Sequence, residues 1–190
     1  MPRAGLSADR VVEEAEQLAD EVGLARLTLA ALAERLGVRQ PSLYKHVDGL
    51  DAVQRGIAVR AKTEMAEVLS RAAVGRSRDD AVRAVCAAYR TWALAHPGRY
   101  AATVRAAPAD DADDAAASRA VVDVVFGVLS GYGLDGDALV DATRAVRAAL
   151  HGFIALESGG GFGIPREIDR SFERLVDGLV AALASSAFAP

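Results

Sequence analysis

The chain has 190 residues, of which 22 are Lys or Arg and 26 are Asp or Glu, so its formal net charge at neutral pH is −4. This length is enough for one large domain, or for a small domain joined to a larger one, with a hydrophobic core that needs no disulfide. The single cysteine, Cys86, excludes an intramolecular disulfide, and its apolar helical surroundings in the sequence predict a buried core residue.

The start of the chain, MPRAGLSADRVVEEAEQ, has no apolar core of the kind found in secretory signals. No uncharged stretch reaches the about 18 apolar residues that a membrane span requires. We therefore expect a cytoplasmic protein with no membrane partner.

Apolar residues recur at helical spacing along almost the whole chain, and strand-type alternation is nearly absent, so the predicted fold class is all-α. Ser7 is a candidate N-cap for a first helix that ends near residue 22, and Gly23 is its stop signal. Thr28 is a candidate N-cap for a second, short helix over residues 29–36.

A glycine turn and a third helix follow. Gly37 ends the second helix by permitting a left-handed backbone, and Pro41 fits the first turn of a helix over about residues 40–47. Leu43 and Val47 are four positions apart and form its anchoring face. The other side chains of this segment are polar and cannot all be buried: Arg39, Gln40, Ser42, Tyr44, Lys45 and His46.

Six more helical elements are predicted at about residues 50–73, 77–96, 99–106, 115–130, 138–157 and 166–184. The acid-rich run ADDADDA between two of them lacks the glycine and the final glutamate of an EF-hand, so it is expected to be a solvated loop and helix cap rather than a calcium site.

A short helix, a glycine turn and a second helix with a polar side form a helix-turn-helix, whose second helix enters the major groove of DNA. Gln40 and Ser42 can donate and accept hydrogen bonds at base edges, and the Arg39 guanidinium can form bidentate hydrogen bonds with a guanine. Thr28, Tyr44 and Lys45 are expected to contact phosphates, and His46 is a further candidate DNA-binding residue. The segment from Arg35 to Val47 contains no acid, which predicts a local positive surface on an acidic protein. The alternative is a helical hairpin with a solvated face.

The stretch LTLAALAERLGVRQPSLYKHVDGLDAVQRGI resembles the DNA-binding signature of the TetR family of transcriptional regulators, over roughly residues 7–60. It has that family's Thr-capped helix, Gly-Val turn and Leu-Tyr-x-His-Val recognition helix, in the same order. Two features depart from the family pattern. Arg39 replaces a small hydroxyl residue, and DGLD replaces a run with a phosphate-contacting lysine.

The resemblance implies a three-helix helix-turn-helix DNA-binding domain over residues 1–49, followed by a larger helical ligand-binding and dimerisation domain over residues 50–190. Its implied partner is a pseudo-palindromic operator in double-stranded DNA, bound by a homodimer. A repressor that a small effector releases from its operator is also implied, although the residues leave the sign of regulation open. No charged pair marks the candidate ligand-binding residues named below, so we expect the effector to be hydrophobic or aromatic.

In the second part of the chain, Trp92 together with His151 and Gly152 resembles the Trp…His-Gly type of C-terminal domain found in some TetR regulators. Helical spacing places Val85, Tyr89, Trp92 and His96 on one face of a predicted helix. Such aromatic residues are either core or the lining of an apolar cavity. The candidate ligand-binding residues are Tyr89, Trp92, His96, Tyr100, Phe126 and His151.

The last two predicted helices have broad apolar faces, which predicts that they pair with a second copy in a two-fold interface. An enzyme is the main competing interpretation, and an adaptor without DNA binding is another. No set of catalytic residues supports an enzyme, since the three histidines are far apart in the sequence and no HExxH, CxxC, GxSxG or P-loop motif occurs. We therefore expect no catalytic residue, no metal and no cofactor.

Overall fold

The computed structural model describes residues 6–185 and 188, so the first five residues of the start examined for a secretory signal lie outside it. The described residues form nine α-helices and two short 3-10 turns, with no strand among them, which confirms the all-α class. The helices are α1 (Ala8–Val22), α2 (Leu29–Arg35), α3 (Gln40–Leu43), α4 (Gly49–Ala73), α5 (Arg78–Ala95), α6 (Pro97–Thr103), α7 (Ala112–Leu129), α8 (Gly136–Ser158) and α9 (Ile168–Ala184).

The caps predicted for the first two helices are present. The Ser7 hydroxyl accepts a hydrogen bond from the Arg10 amide at 3.2 Å, and Gly23 ends α1 with a φ of 88°. The Thr28 hydroxyl accepts from the Ala31 amide at 3.2 Å. Beyond α2, Gly37 has a φ of 68°, a left-handed conformation that favours glycine. These caps and the glycine turn determine where α1 and α2 begin and end, and how the chain turns from α2 into α3.

Helix α3 is shorter than predicted. It ends at Leu43, and the chain continues as a turn through His46 rather than as a helix to Val47. The amides of His46 and Val47 both donate to the Leu43 carbonyl, at 2.8 and 3.0 Å. The bond from His46 spans three residues, so the chain after Leu43 turns more tightly than an α-helix does. The segment still curls as one right-handed turn, since Tyr44 has φ −63° and ψ −10°.

The described residues form two compact units, the first of which consists of residues 6–64 and 96–118. Its hydrophobic core is formed mainly by α1, α2, α3 and the first half of α4, and includes the fully buried Val11, Leu32, Leu43, Val53 and Ile57. Helix α6 packs directly on α1. A Cβ atom on Gly98 would lie 2.1 Å from the backbone carbonyl of Ala19, so only glycine allows this approach.

The second compact unit consists of the described residues 65–95 and 119–185, and in it α5 packs against α8 and α9. Cys86 is 1% exposed in this core, as predicted. The apolar faces that predict pairing with a second copy lie on α8 and α9, and most of their residues are buried within this unit, so they do not form an exposed patch. The buried ones are Val146, Leu150, Ile154, Phe172, Val176 and Leu183.

One stretch of the described residues, Ala112–Tyr132, is long and apolar enough to span a membrane, judged by length and composition only. Its first turn carries Asp113 and Asp114, and Asp114 is buried in an ion pair with Lys62.

The domain boundary expected after residue 49 stays a prediction.

Candidate functional site

Residues 39–47, here called the α3 segment, have one buried face and one exposed edge. Leu43 is fully buried and Val47 is 8% exposed, so these two residues anchor the segment as predicted. Tyr44 is 55% exposed, although it directly follows Leu43. Four of the polar residues predicted to bind DNA are exposed on this segment, and two are half-buried: Arg39, Gln40, Tyr44 and Lys45, and then Ser42 and His46.

None of these six side chains forms a hydrogen bond or ion pair with the described residues. Arg39 is the N-cap residue of α3, but its side chain makes no capping bond. Because their donors and acceptors are not used inside the protein, they are available to an outside partner.

Thr28 lies at the start of α2 and is exposed. Its oxygen accepts the capping bond from Ala31, so its hydroxyl proton remains available for donation. A hydroxyl at the positive end of a helix suits contact with a phosphate oxygen.

The predicted positive surface is smaller than the sequence indicates, because Arg35 does not belong to it. The Arg35 guanidinium donates to Glu14 at 3.1 Å, to Glu21 at 2.7 Å and to Gln17 at 3.2 Å. These three residues lie on α1, which packs against α2. The cations that remain on the α3 segment are Arg39 and Lys45.

The run ADDADDA is predicted to be a solvated loop and helix cap. The cap is present, since the Asp111 carboxylate accepts a hydrogen bond from the Asp114 amide at 3.1 Å, but the prediction of solvation is wrong for Asp111 and Asp114. The Asp111 side chain is 9% exposed and accepts two hydrogen bonds from Arg55, each at 2.5 Å. Arg55 holds the pKa of Asp111 below its usual range. Asp114 is fully buried, with its Oδ1 atom 2.5 Å from Lys62 Nζ. The available signal in the sequence was Lys62 itself, a lone cation on the apolar face of α4.

The six candidate ligand-binding residues are divided between the two units. Tyr89 and Trp92 on α5, Phe126 on α7 and His151 on α8 belong to the second unit, whereas His96 and Tyr100 belong to the first. Trp92 and Tyr100 are buried, and the other four are half-buried.

The sequence predicts that Tyr89, Trp92 and His96 share one face of a helix, and this prediction is wrong for His96. Helix α5 ends at Ala95, and His96 is the N-cap residue of α6. There its Nδ1 atom lies 3.5 Å from Asp20 Oδ2 and contacts the Arg99 guanidinium. The ligand-binding role of the six residues stays a prediction.

A small cavity of about 170 Å³ lies in the second unit. Arg78 and Tyr132 line it, with the guanidinium 4.8 Å above the centre of the ring, and the Tyr132 hydroxyl donates to Asp79 at 2.7 Å. The cavity is smaller than the roughly 300 Å³ at which ligand pockets begin. None of the six candidate ligand-binding residues lines it.

Comparison with known proteins identifies the family. Residues 82–179 match the profile described as "Tetracyclin repressor-like, C-terminal domain", and residues 11–47 match "Bacterial regulatory proteins, tetR family". Rv0681 of Mycobacterium tuberculosis, named an uncharacterized HTH-type transcriptional regulator, is 43% identical over 158 residues, or 83% of this chain and 72% of that protein. The chain belongs to the TetR family.

Solved structures show the same TetR-like fold. A Rhodococcus sp. RHA1 protein of unknown function has a TM-score of 0.80 at 22% identity, over 97% of this chain and 100% of that one. TetR-Q116A from Acinetobacter baumannii in complex with minocycline has a TM-score of 0.71 at 23% identity, over 94% and 96% of the two chains.

Membership of the TetR family makes the chain a DNA-binding transcriptional regulator and not an enzyme. The residues matched by the N-terminal profile include α2 and α3, the two helices of the helix-turn-helix. The Trp…His-Gly subtype of the C-terminal domain stays a prediction.

Proposed function

We propose that this TetR-family chain is a cytoplasmic homodimer that represses transcription from a pseudo-palindromic operator in double-stranded DNA. A small hydrophobic or aromatic effector releases it. The observation that carries the proposal is the exposed polar edge of the α3 segment, which has no partner among the described residues while Leu43 holds the segment to the core.

The roles of the residues follow from their chemistry and exposure. Gln40 and Ser42 read base edges, and Arg39 pairs with a guanine. Thr28, Tyr44, Lys45 and His46 bind the sugar-phosphate backbone and fix the register of the segment in the groove. Arg39 and Lys45 are the cations that supply the salt-dependent part of the affinity.

Dimerisation is proposed through the outward faces of α8 and α9. These faces carry small exposed residues, including Ala148 and Gly152 on α8 and Gly178 on α9. Nothing lies within 4 Å of a Cβ atom placed on either glycine, so a partner helix has room to approach closely. A two-fold axis there presents two α3 segments to half-sites about 34 Å apart, one turn of DNA.

The effector part of the proposal draws on the minocycline complex of the structural neighbour and on the aromatic candidates in this chain. In the second unit these are Tyr89, Trp92, Phe126 and His151. An apolar ligand that favours a different spacing of the two α3 segments would weaken operator binding.

The test begins with selection of DNA bound by the full-length protein from a random-sequence library, followed by gel shifts of the selected sequence at increasing salt. We expect an inverted repeat bound by a dimer, with affinity that falls as salt rises. Equal affinity for the selected and random sequences would contradict the proposal. A repeat bound by a monomer would contradict its dimeric part.

A further inference from the structure

A cluster of charges joins one face of α4 to the start of α7 within the first unit. We call it the α4–α7 clamp, and it consists of Arg55, Lys62, Asp111, Asp113 and Asp114. Lys62 is only 4% exposed, and its ammonium also donates to the Arg105 carbonyl at 3.1 Å. The clamp therefore fixes the loop before α7 as well as the helix itself.

The clamp holds α4 at two points. Arg55 and Lys62 are seven positions apart, so they lie on the same side of α4, about 10 Å from each other along its axis. At the α7 end of the clamp, the Asp111 carboxylate accepts a hydrogen bond from Arg55. It also accepts one from the Asp114 amide, at 3.1 Å, and so caps α7. Two attachments on one helix resist both its rotation and its sliding.

Stability alone does not explain the buried half of the clamp. Removing an ammonium and a carboxylate from water costs several kcal/mol for each ion, and an apolar pair of similar volume commonly folds as well or better. The Oδ2 atom of Asp114 is also buried without a hydrogen-bond partner among the described residues, which adds to the cost. Buried ion pairs of this kind are best known for fixing one register between packed elements.

We propose that the α4–α7 clamp is a positioning device for operator binding. Helix α4 follows the α3 segment after only Asp48, so the register of α4 sets where α3 lies. Helix α7 continues past residue 118 to the predicted ligand residue Phe126. By fixing α4 to the start of α7, the clamp sets the spacing at which a dimer presents its two α3 segments. This inference rests on the proposed function.

The test compares two DNA duplexes, one with both operator half-sites and one with a single half-site. The full-length double variant Lys62→Met/Asp114→Leu removes the buried charges together. We expect its affinity for two half-sites to fall by about 5- to 150-fold, the usual range of coupling between sites. Its affinity for one half-site should stay within about twofold of wild type, because one α3 segment needs no fixed spacing.

The matched control is Glu67→Gln/Arg71→Gln, which removes an ion pair on the same helix that is 3.6 Å apart and more than 60% exposed on both sides. It should leave both affinities unchanged. Thermal unfolding and light scattering check that each variant is folded and dimeric. If the buried double variant fails to fold, Arg55→Gln tests the clamp at its more exposed end, with a smaller change in the same direction.

A folded, dimeric clamp variant that keeps the wild-type ratio of the two affinities would overturn the inference. Equal losses on both duplexes would also overturn it, because they would indicate a general effect on the DNA-binding unit. The wild-type protein is measured first. If it binds no sequence selectively, the proposed function fails and not the clamp alone.

Discussion

Leu43 and Tyr44 are adjacent in the sequence but have opposite surroundings, one fully buried and the other 55% exposed. Full burial of a leucine side chain is worth about 1.5–3 kcal/mol, so Leu43 holds the α3 segment in place. The exposed neighbours add little to folding. Substitutions of exposed polar residues on this segment therefore test DNA binding without disturbing the fold.

Gln40 and Lys45 should respond differently to truncation. Gln40→Ala should reduce discrimination at one base pair by about 1–3 kcal/mol, because a base-edge contact is lost. Lys45→Ala should weaken operator and random DNA alike, because a phosphate contact carries no sequence information. Fluorescence anisotropy with operator, single-base variants and random DNA measures both effects. Equal losses on all sequences for Gln40→Ala would remove Gln40 from the base-reading residues.

The Cys86 thiol should be unreactive in the folded protein. Burial raises its pKa to about 12, so almost no thiolate forms near pH 8. A disulfide reagent such as Ellman's should label it only as the second unit opens, and urea should accelerate labelling along the unfolding curve. Prompt, complete labelling of the native protein at pH 8 would show that this core is open to solvent.

Helix α6 depends on a close approach to α1. The Arg99 amide and guanidinium both donate to Asp20, at 2.8 and 2.7 Å, beside the Gly98 contact with Ala19. Two hydrogen bonds to one carboxylate and a backbone-to-backbone contact fix the position of α6 on the DNA-binding unit. A side chain at residue 98 must push these helices apart.

Gly98→Ala should therefore destabilise the protein, by about 1–3 kcal/mol for an overpacked core site, despite the better helix propensity of alanine. Gly127→Ala on α7 is the matched control, since no atom lies within 4 Å of its added Cβ. The control should be neutral or stabilise by up to about 1 kcal/mol. Urea unfolding followed by circular dichroism measures both. Stability of Gly98→Ala equal to wild type would mean that α6 moves aside without cost.

The elements could be predicted from the sequence because caps and periodicity are local. Ser7, Thr28 and Gly37 each act within four residues of their own position. The sequence predicts the end of α5 one residue late, at His96, because Pro97 marks a helix boundary without showing which residue caps the next helix. The pairing of Lys62 with Asp114 could not be predicted, since it joins residues 52 positions apart. The exposed polar edge of the α3 segment could be predicted, because its polar residues all lie between positions 39 and 46.

For the whole molecule, charge sets how strongly DNA is bound without regard to sequence. Each chain carries a net charge of −4, and Arg35 is paired with Glu14 and Glu21 on α1, so Arg39 and Lys45 are the cations that the α3 segment offers to phosphates. Asp48 adds an exposed carboxylate directly after the α3 segment. Binding to random DNA should consequently be weak, and the operator should be selected mainly by base contacts.

Asp48→Lys should raise affinity for operator and random DNA together. One new phosphate contact in each subunit of a dimer steepens the dependence of log K on log salt by about 0.9 per contact, or nearly 2 in total. Anisotropy titrations between about 50 and 200 mM salt measure the slope. Asp137→Lys, at an exposed position in the first turn of α8, makes the same charge change in the second unit. If both variants steepen the slope equally, the effect comes from overall charge, and the segment after α3 does not lie against the phosphates.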